Sequence, residues 1–227
     1  MLIYGRNPVR EALRGRRKVH RIWATTPAEW PGAKAASAEE LEERAGTDAH
    51  QGVCALVDPY PYADEAELLA VDNPLLVALD EITDPQNLGA ICRTAEAAGA
   101  TAVVIPERRS AEVTPAVCKA SAGAVEYLRI ARVRNLADFL GDAKAAGCWC
   151  YGAAVGEGSE PYDRPDYRGG VVLVLGAEGK GLREKTRNTV SALARLDMPG
   201  AIRSLNVSNA AAIALYAAHR HLSAGGN

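Results

Sequence analysis

The sequence predicts an α/β protein: a mostly parallel sheet covered on both faces by helices, preceded by a small α/β unit. Three observations predict it. Five strand-like runs in the second part, LLVALD, TAVVI, EYLRIARV, CWCYGAAV and VVLVLG, are largely apolar along their length rather than alternating. Helical stretches begin between most of them, near Gln86, Thr114, Asn135 and Leu182, and buried strands that alternate with helices belong to a parallel sheet. A Pro- and acid-rich stretch then separates this region from a shorter one that mixes the same two element types.

Taken in order, Asn7 and Pro8 form an N-cap and first-turn pair with Gly15 as the stop, which predicts a short helix over 7–14. Val19 to Trp23 reads as a strand, and TTPAEWPGAKA as a loop punctuated by Pro and Gly. SAEELEERAG is a short helix opened by Ser37, with Glu40 in capping-box position, and GVCALV is a strand. Residues 1–58 therefore make a small unit, residues 59–73 a linker with room for one helical turn, and residues 74–227 the large domain.

A chain of 227 residues, 48% hydrophobic and 24% charged, can bury a substantial core. Its longest apolar runs fall well short of the roughly 18 residues a membrane span needs, and its N-terminus lacks the apolar centre of a signal peptide, so the cytoplasm is the expected setting. Cys54, Cys92, Cys118, Cys148 and Cys150 are odd in number and lack CxxC spacing. That argues for reduced, buried thiols over disulfides or a zinc site, and no metal is expected. Cys148 and Cys150 should share one strand face.

The net charge of −2 conceals an uneven distribution. Residues 1–23 carry Arg6, Arg10, Arg14, Arg16, Arg17, Lys18 and Arg21 against Glu11 alone, whereas in residues 24–80 only Lys34 and Arg44 oppose the carboxylates. The basic stretch is a local phosphate-contact candidate, with a solvated helix and turn as the plainer reading.

In a parallel sheet, ligands bind beyond the carboxyl ends of strands, and three such junctions have unusual residues. LDEITDPQNLGAICRTAEAAGA puts Asn87 and Arg93 near a helix start. VVLVLGAEGKGL places Gly176, Gly179 and Gly181 after a strand, with Glu178 as a cap or a site group. The order G-x-x-G-x-G is not a dinucleotide fingerprint, and Lys180 between the glycines with no following Ser or Thr excludes a P-loop. LDMPGAIRSLNVSNAAAIALY gathers Ser204, Asn206, Ser208 and Asn209 at a helix start, more hydroxyl and amide groups than one cap uses.

NLGAICRTAEAAGA, LGAEGKGL and IRSLNVSNAAAIALY, in this order and spacing, resemble the three signature motifs of the SpoU branch of the SPOUT methyltransferases. IYGRNPVREAL and GTDAHQGVCALVDPYPYAD resemble the substrate-binding domain of the subgroup acting on a guanosine of large-subunit ribosomal RNA. The resemblance implies a SPOUT-type parallel sheet with a C-terminal trefoil knot, a preceding RNA-binding domain, S-adenosylmethionine as cofactor, RNA as substrate and a homodimer. It implies Asn87, Arg93, Glu178, Ser204 and Asn206 as catalytic residues, and Gly176, Leu196, Met198, Ile202 and Leu205 as the cofactor pocket. Arg6, Arg10, Arg14, Arg16 and Arg17 are the expected RNA contacts. Transfer RNA as substrate, or a noncatalytic ribosome-assembly role on the same fold, are the rivals.

Overall fold

A computed structural model of the chain describes residues 1–154, 158–177, 179–201 and 204–224, with residues 222–224 described by backbone alone. The first unit comprises β1 (Leu2–Tyr4), α1 (Arg6–Arg14), β2 (Val19–Ala24), β3 (Lys34–Ala35), α2 (Ala38–Ala45) and β4 (Val53–Val57). Its sheet has the order β1-β4-β2-β3, with β4 antiparallel to both neighbours and β3 parallel to β2. α2 has the expected capping box between Ser37 and Glu40. α1 differs from expectation: its N-cap is Gly5 rather than Asn7. Gly5 donates to the Val53 carbonyl at 3.1 Å with φ 96°, so β1 turns into the helix within one residue, a geometry that suits glycine. TTPAEWPGAKA likewise contains more than a loop, because Trp30 is buried and anchors the turn that feeds β3.

Segment 59–73, expected as a linker, is packed. Tyr60 and Leu68 are buried, the Tyr60 hydroxyl donates to the Leu128 carbonyl at 2.6 Å, and α3 (Glu65–Leu69) starts from an Asp64 cap.

The large domain runs β5 (Leu75–Asp80), α4 (Pro85–Ala97), β6 (Ala102–Pro106), α5 (Pro115–Ala120), β7 (Arg129–Val133), α6 (Leu136–Ala145) and β8 (Trp149–Ala153). It continues with β9 (Ser159–Pro161), β10 (Val171–Gly176), α7 (Glu184–Thr189), β11 (Ala192–Arg195) and α8 (Val207–Ala224). Among the described residues its sheet has the order β7-β6-β5-β10-β8-β11-β9, and every paired neighbour is parallel. Alternate residues of each central strand enter different cores. Val77, Leu79, Leu173 and Leu175 pack toward α4 and α8, whereas Leu76, Ala78, Val172 and Val174 join Phe139 and Leu140 of α6. Burial on both faces is why these strands read as unbroken apolar runs. Cys148 and Cys150 lie in the second core together, on one face as expected. The short strands β9 and β11 went unread because SEP and ALAR lack a strand signature.

The two units share one core, which includes Ile3 and Val9 of the first and Val117 and Val125 of the second. Three glycines let the backbones close. A Cβ on Gly15 would lie 2.7 Å from Glu126 Cβ, one on Gly123 2.7 Å from Glu11 Cβ, and one on Gly5 2.5 Å from Lys119 Nζ. At the centre of this contact Arg17 and Glu126 form a bidentate ion pair with side chains only 2% and 0% exposed. Arg16 donates to the Glu126 and Leu128 carbonyls.

Candidate active site

β10 lies beside β5 with Gly176 in register with Asp80, so the first and second junctions emerge side by side. The second junction folds back at once. The Ala177 carbonyl accepts from Gly181 N–H at 2.8 Å, and Gly179 and Gly181 take φ 75° and 68°. A Cβ on Gly176 would lie 2.1 Å from the Gly181 carbonyl carbon, so the turn's own backbone occupies the space where a side chain would stand. Glycine at 176 is thus demanded first by the turn, and the turn then forms the wall of a pocket.

That pocket, about 200 Å³, is lined by Gly176, Leu196, Met198, Ser204 and Leu205 together with the turn glycines. Leu196 and Met198 are half-buried and Leu205 is 40% exposed, so none is an ordinary core side chain. Apolar walls around a bare main-chain turn fit a flat heteroaromatic ring whose edge is read by backbone groups. Ile202 and Glu178 lie outside the described residues.

The third junction supplies the polar side. Asn206 caps α8: its Oδ1 accepts from Ser208 N–H at 2.8 Å and from Ser208 Oγ at 2.5 Å. Two donors on one oxygen fix the amide orientation, and Nδ2 then donates to Asn87 Oδ1 at 2.9 Å. Asn87 is free for this because Asp84, three residues earlier, caps α4 through Gln86 N–H at 3.0 Å. α4 and α8 are thus joined at their N-termini by one amide pair, beside a pocket that Ser204 also lines. Arg93 sits six residues beyond Asn87, about 120° around the axis at 100° per residue. It is exposed and makes no hydrogen bond or ion pair among the described residues. Asn87 and Asn206 are brought together, Ser204 lines the neighbouring pocket, and Arg93 stands apart on the open side of α4.

Asp80 was not singled out in the sequence. It is 1% exposed and accepts from Arg183 N–H at 2.8 Å and Arg183 Nε at 2.6 Å. Its signal was present: an acid ending the otherwise apolar run LLVALD must have a partner once buried. None of these groups is a ready base, since amides and hydroxyls are neutral and a guanidinium does not deprotonate. The thiols offer no alternative, because burial pushes Cys150 up to about 12 and Cys54 and Cys118 to about 11. Among the described residues no group of three His, Cys, Asp or Glu is placed to hold a metal, and no helix is long and apolar enough to cross a membrane.

The five arginines expected on RNA divide. Arg6, Arg10 and Arg14 are exposed along α1 and, with Leu13, Glu29 and Trp30, line a groove of about 320 Å³. Arg6 pairs with Glu29, and its guanidinium lies 5.7 Å from the Trp30 ring centre. Arg17 departs from expectation: it is buried against Glu126 and presents nothing to a phosphate. Arg16 remains exposed, but its guanidinium is committed to two carbonyls. Charge counting could not separate them, because it treats a docking arginine and a solvated one alike.

An all-parallel sheet with polar, glycine-rich junctions meeting at one end is the α/β architecture that places ligand sites beyond the carboxyl ends of its strands. The chain belongs to the SpoU rRNA Methylase family, which it matches over residues 74–216, and residues 2–63 match the family of RNA 2′-O ribose methyltransferase substrate-binding domains. It is 41% identical over 241 residues to the 23S rRNA (guanosine-2′-O-)-methyltransferase RlmB of Pseudomonas syringae, covering 98% of this chain and 96% of that one. It is 38% identical over 235 residues to an uncharacterised tRNA/rRNA methyltransferase of Synechocystis, covering 95% of this chain and 61% of that longer protein. The AdoMet-bound rRNA methyltransferase structure from Sinorhizobium meliloti superposes with a TM-score of 0.84 at 28% identity, covering 97% of this chain and 87% of that one.

Proposed function

We propose that the chain transfers the methyl group of S-adenosylmethionine to the 2′-hydroxyl of a guanosine in large-subunit ribosomal RNA. The observation that carries this is the Asn206–Asn87 hydrogen bond at 2.9 Å, which sets the first and third junctions against each other beside the glycine-walled pocket. In the transfer the carbon–sulfur bond breaks as the carbon–oxygen bond forms, and the hydroxyl gives up its proton, so in-line positioning carries much of the rate. Gly176, Leu196, Met198, Leu205 and, from the sequence, Ile202 hold the cofactor. Asn87, Ser204 and Asn206 orient the ribose, and Arg93 clamps the neighbouring phosphate and stabilises charge. The proton goes to Glu178 or to a water. The knotted C-terminal passage belongs to the same reading, because the turns after β10 and β11 close on one pocket.

Similarity to a 23S rRNA (guanosine-2′-O-)-methyltransferase over 98% of this chain, the N-terminal unit included, supports ribosomal over transfer RNA. Five free thiols suit a reducing cytoplasm. A homodimer is supported by Ile213 and Tyr216 of α8, which stand 38% and 49% exposed, and sedimentation equilibrium reads it directly. The test of the function is methylation of unmodified rRNA by the purified protein with S-adenosylmethionine and a chelator. A single 2′-O-methyl guanosine is expected, and unmarked RNA would refute the proposal.

Docking through α1 gives a separate expectation. Replacing Arg6, Arg10 and Arg14 together by Ala should weaken binding of an rRNA fragment and lower the slope of log affinity against log salt by about two to three units. An unchanged slope would reduce these arginines to plain surface.

A further inference from the structure

Ala177, Gly179 and Gly181 of the turn after β10 wall the pocket, yet little of the described turn is held by a core of its own. Its start is fixed by β10, where Gly176 pairs with Asp80. Among the described residues its middle is held by the bonds that Lys180 and Gly181 N–H donate to the Ala177 carbonyl. Its end is fixed at two points. Leu182 packs into the space over Gly152, where a Cβ would lie 2.7 Å from Leu182 Cδ1, and Arg183 is bound by the buried carboxylate of Asp80 through both its main chain and its side chain. The Arg183 guanidinium reaches further, to Glu81 Oε1 at 3.4 Å, and Glu81 also meets Arg109 at 3.5 Å. Glu81 and Arg109 hold φ 61° and 59°, a left-handed conformation that non-glycine residues rarely adopt, so the turns after β5 and β6 are shaped to bring these groups in.

A buried carboxylate with no partner is expensive, whereas one that accepts two well-directed bonds is a rigid anchor. Asp80 does not line the pocket. It sits behind the wall, one residue pair from Gly176, and holds the far end of the same turn.

We propose that Asp80, acting through Arg183, is a positioning residue for cofactor binding: it sets the backbone of residues 179–183 in the conformation that grips S-adenosylmethionine. This rests on the pocket being the cofactor site.

The test is calorimetry of the full-length protein with S-adenosylhomocysteine, paired with steady-state methylation of an rRNA fragment. Asp80→Asn removes one acceptor and sets an amide N–H against the Arg183 donors. Its dissociation constant should rise by about tenfold or more, the loss of a charge-assisted hydrogen bond. The Michaelis constant for S-adenosylmethionine should rise in step, while kcat at saturating cofactor and RNA affinity stay within about twofold. Arg183→Ala, which keeps the main-chain bond, should cost less, and adding it to Asp80→Asn should cost nothing more, because the two act as one unit. Arg183 is half-exposed, so that variant carries the test should Asp80→Asn fail to fold. Wild-type affinity in a folded Asp80→Asn, a fall in kcat with affinity unchanged, or additive losses would overturn the proposal. Absence of binding by the wild-type protein would remove the pocket assignment along with it.

Discussion

Arg93→Ala should lose about two orders of magnitude or more in single-turnover methylation of an rRNA fragment while binding S-adenosylmethionine almost as tightly as the wild type. The structure sharpens the reason. The pocket proposed for the cofactor is lined by the turns after β10 and β11, while Arg93 stands on the exposed side of α4 with no ion pair among the described residues, so its removal disturbs no buried contact. An arginine held by no neighbour is available to a ligand, and a phosphate beside the target ribose is the ligand that suits a planar fork. Arg93→Lys separates the two parts of that role: it recovers little if the contact is bidentate and much if charge alone matters. Wild-type turnover in Arg93→Ala would overturn the assignment.

The largest effect on stability is expected at Arg17. With side-chain exposures of 2% for Arg17 and 0% for Glu126, Arg17→Ala strands a carboxylate in the core and should cost about 3–5 kcal/mol of unfolding free energy. The midpoint should fall by on the order of 10 °C for a protein of this size. The double change Arg17→Met with Glu126→Leu should recover most of the loss, because an apolar pair of similar volume leaves no buried charge. Equal melting curves for Arg17→Ala and wild type would show that the pair is solvated.

What could be read in the sequence followed from what each signal encodes. Strands buried on both faces declare themselves as apolar runs, so the central sheet was legible before any coordinates, whereas β9 and β11 are short and find their place only through neighbours far along the chain. Gly176 of the second junction and Leu196, Met198 and Leu205 of the third were legible through the resemblance to family motifs, each a short continuous stretch, and they line one pocket. The basic N-terminus was legible as charge but not as direction: Arg14 and Arg17 differ by three positions, yet one faces solvent and the other a carboxylate 109 residues later. Asp80 and Arg183 lie 103 residues apart, and nothing local to either names the other.

The fused junction between the two units also fixes a length. With Gly15, Gly123 and the buried Arg17–Glu126 pair closing the contact, a swing of the arginine face of α1 relative to the pocket would have to break a buried ion pair, so on the proposed docking through α1 the protein is expected to act as a caliper with jaws set at one opening. An RNA must therefore present its target ribose and its docking strand at a spacing that its own fold already holds. On the proposed docking through α1, selectivity is expected to reside as much in the shape of the folded ribosomal RNA domain as in the nucleotide that receives the methyl group, and a stem-loop carrying only that nucleotide should bind more weakly than the folded domain.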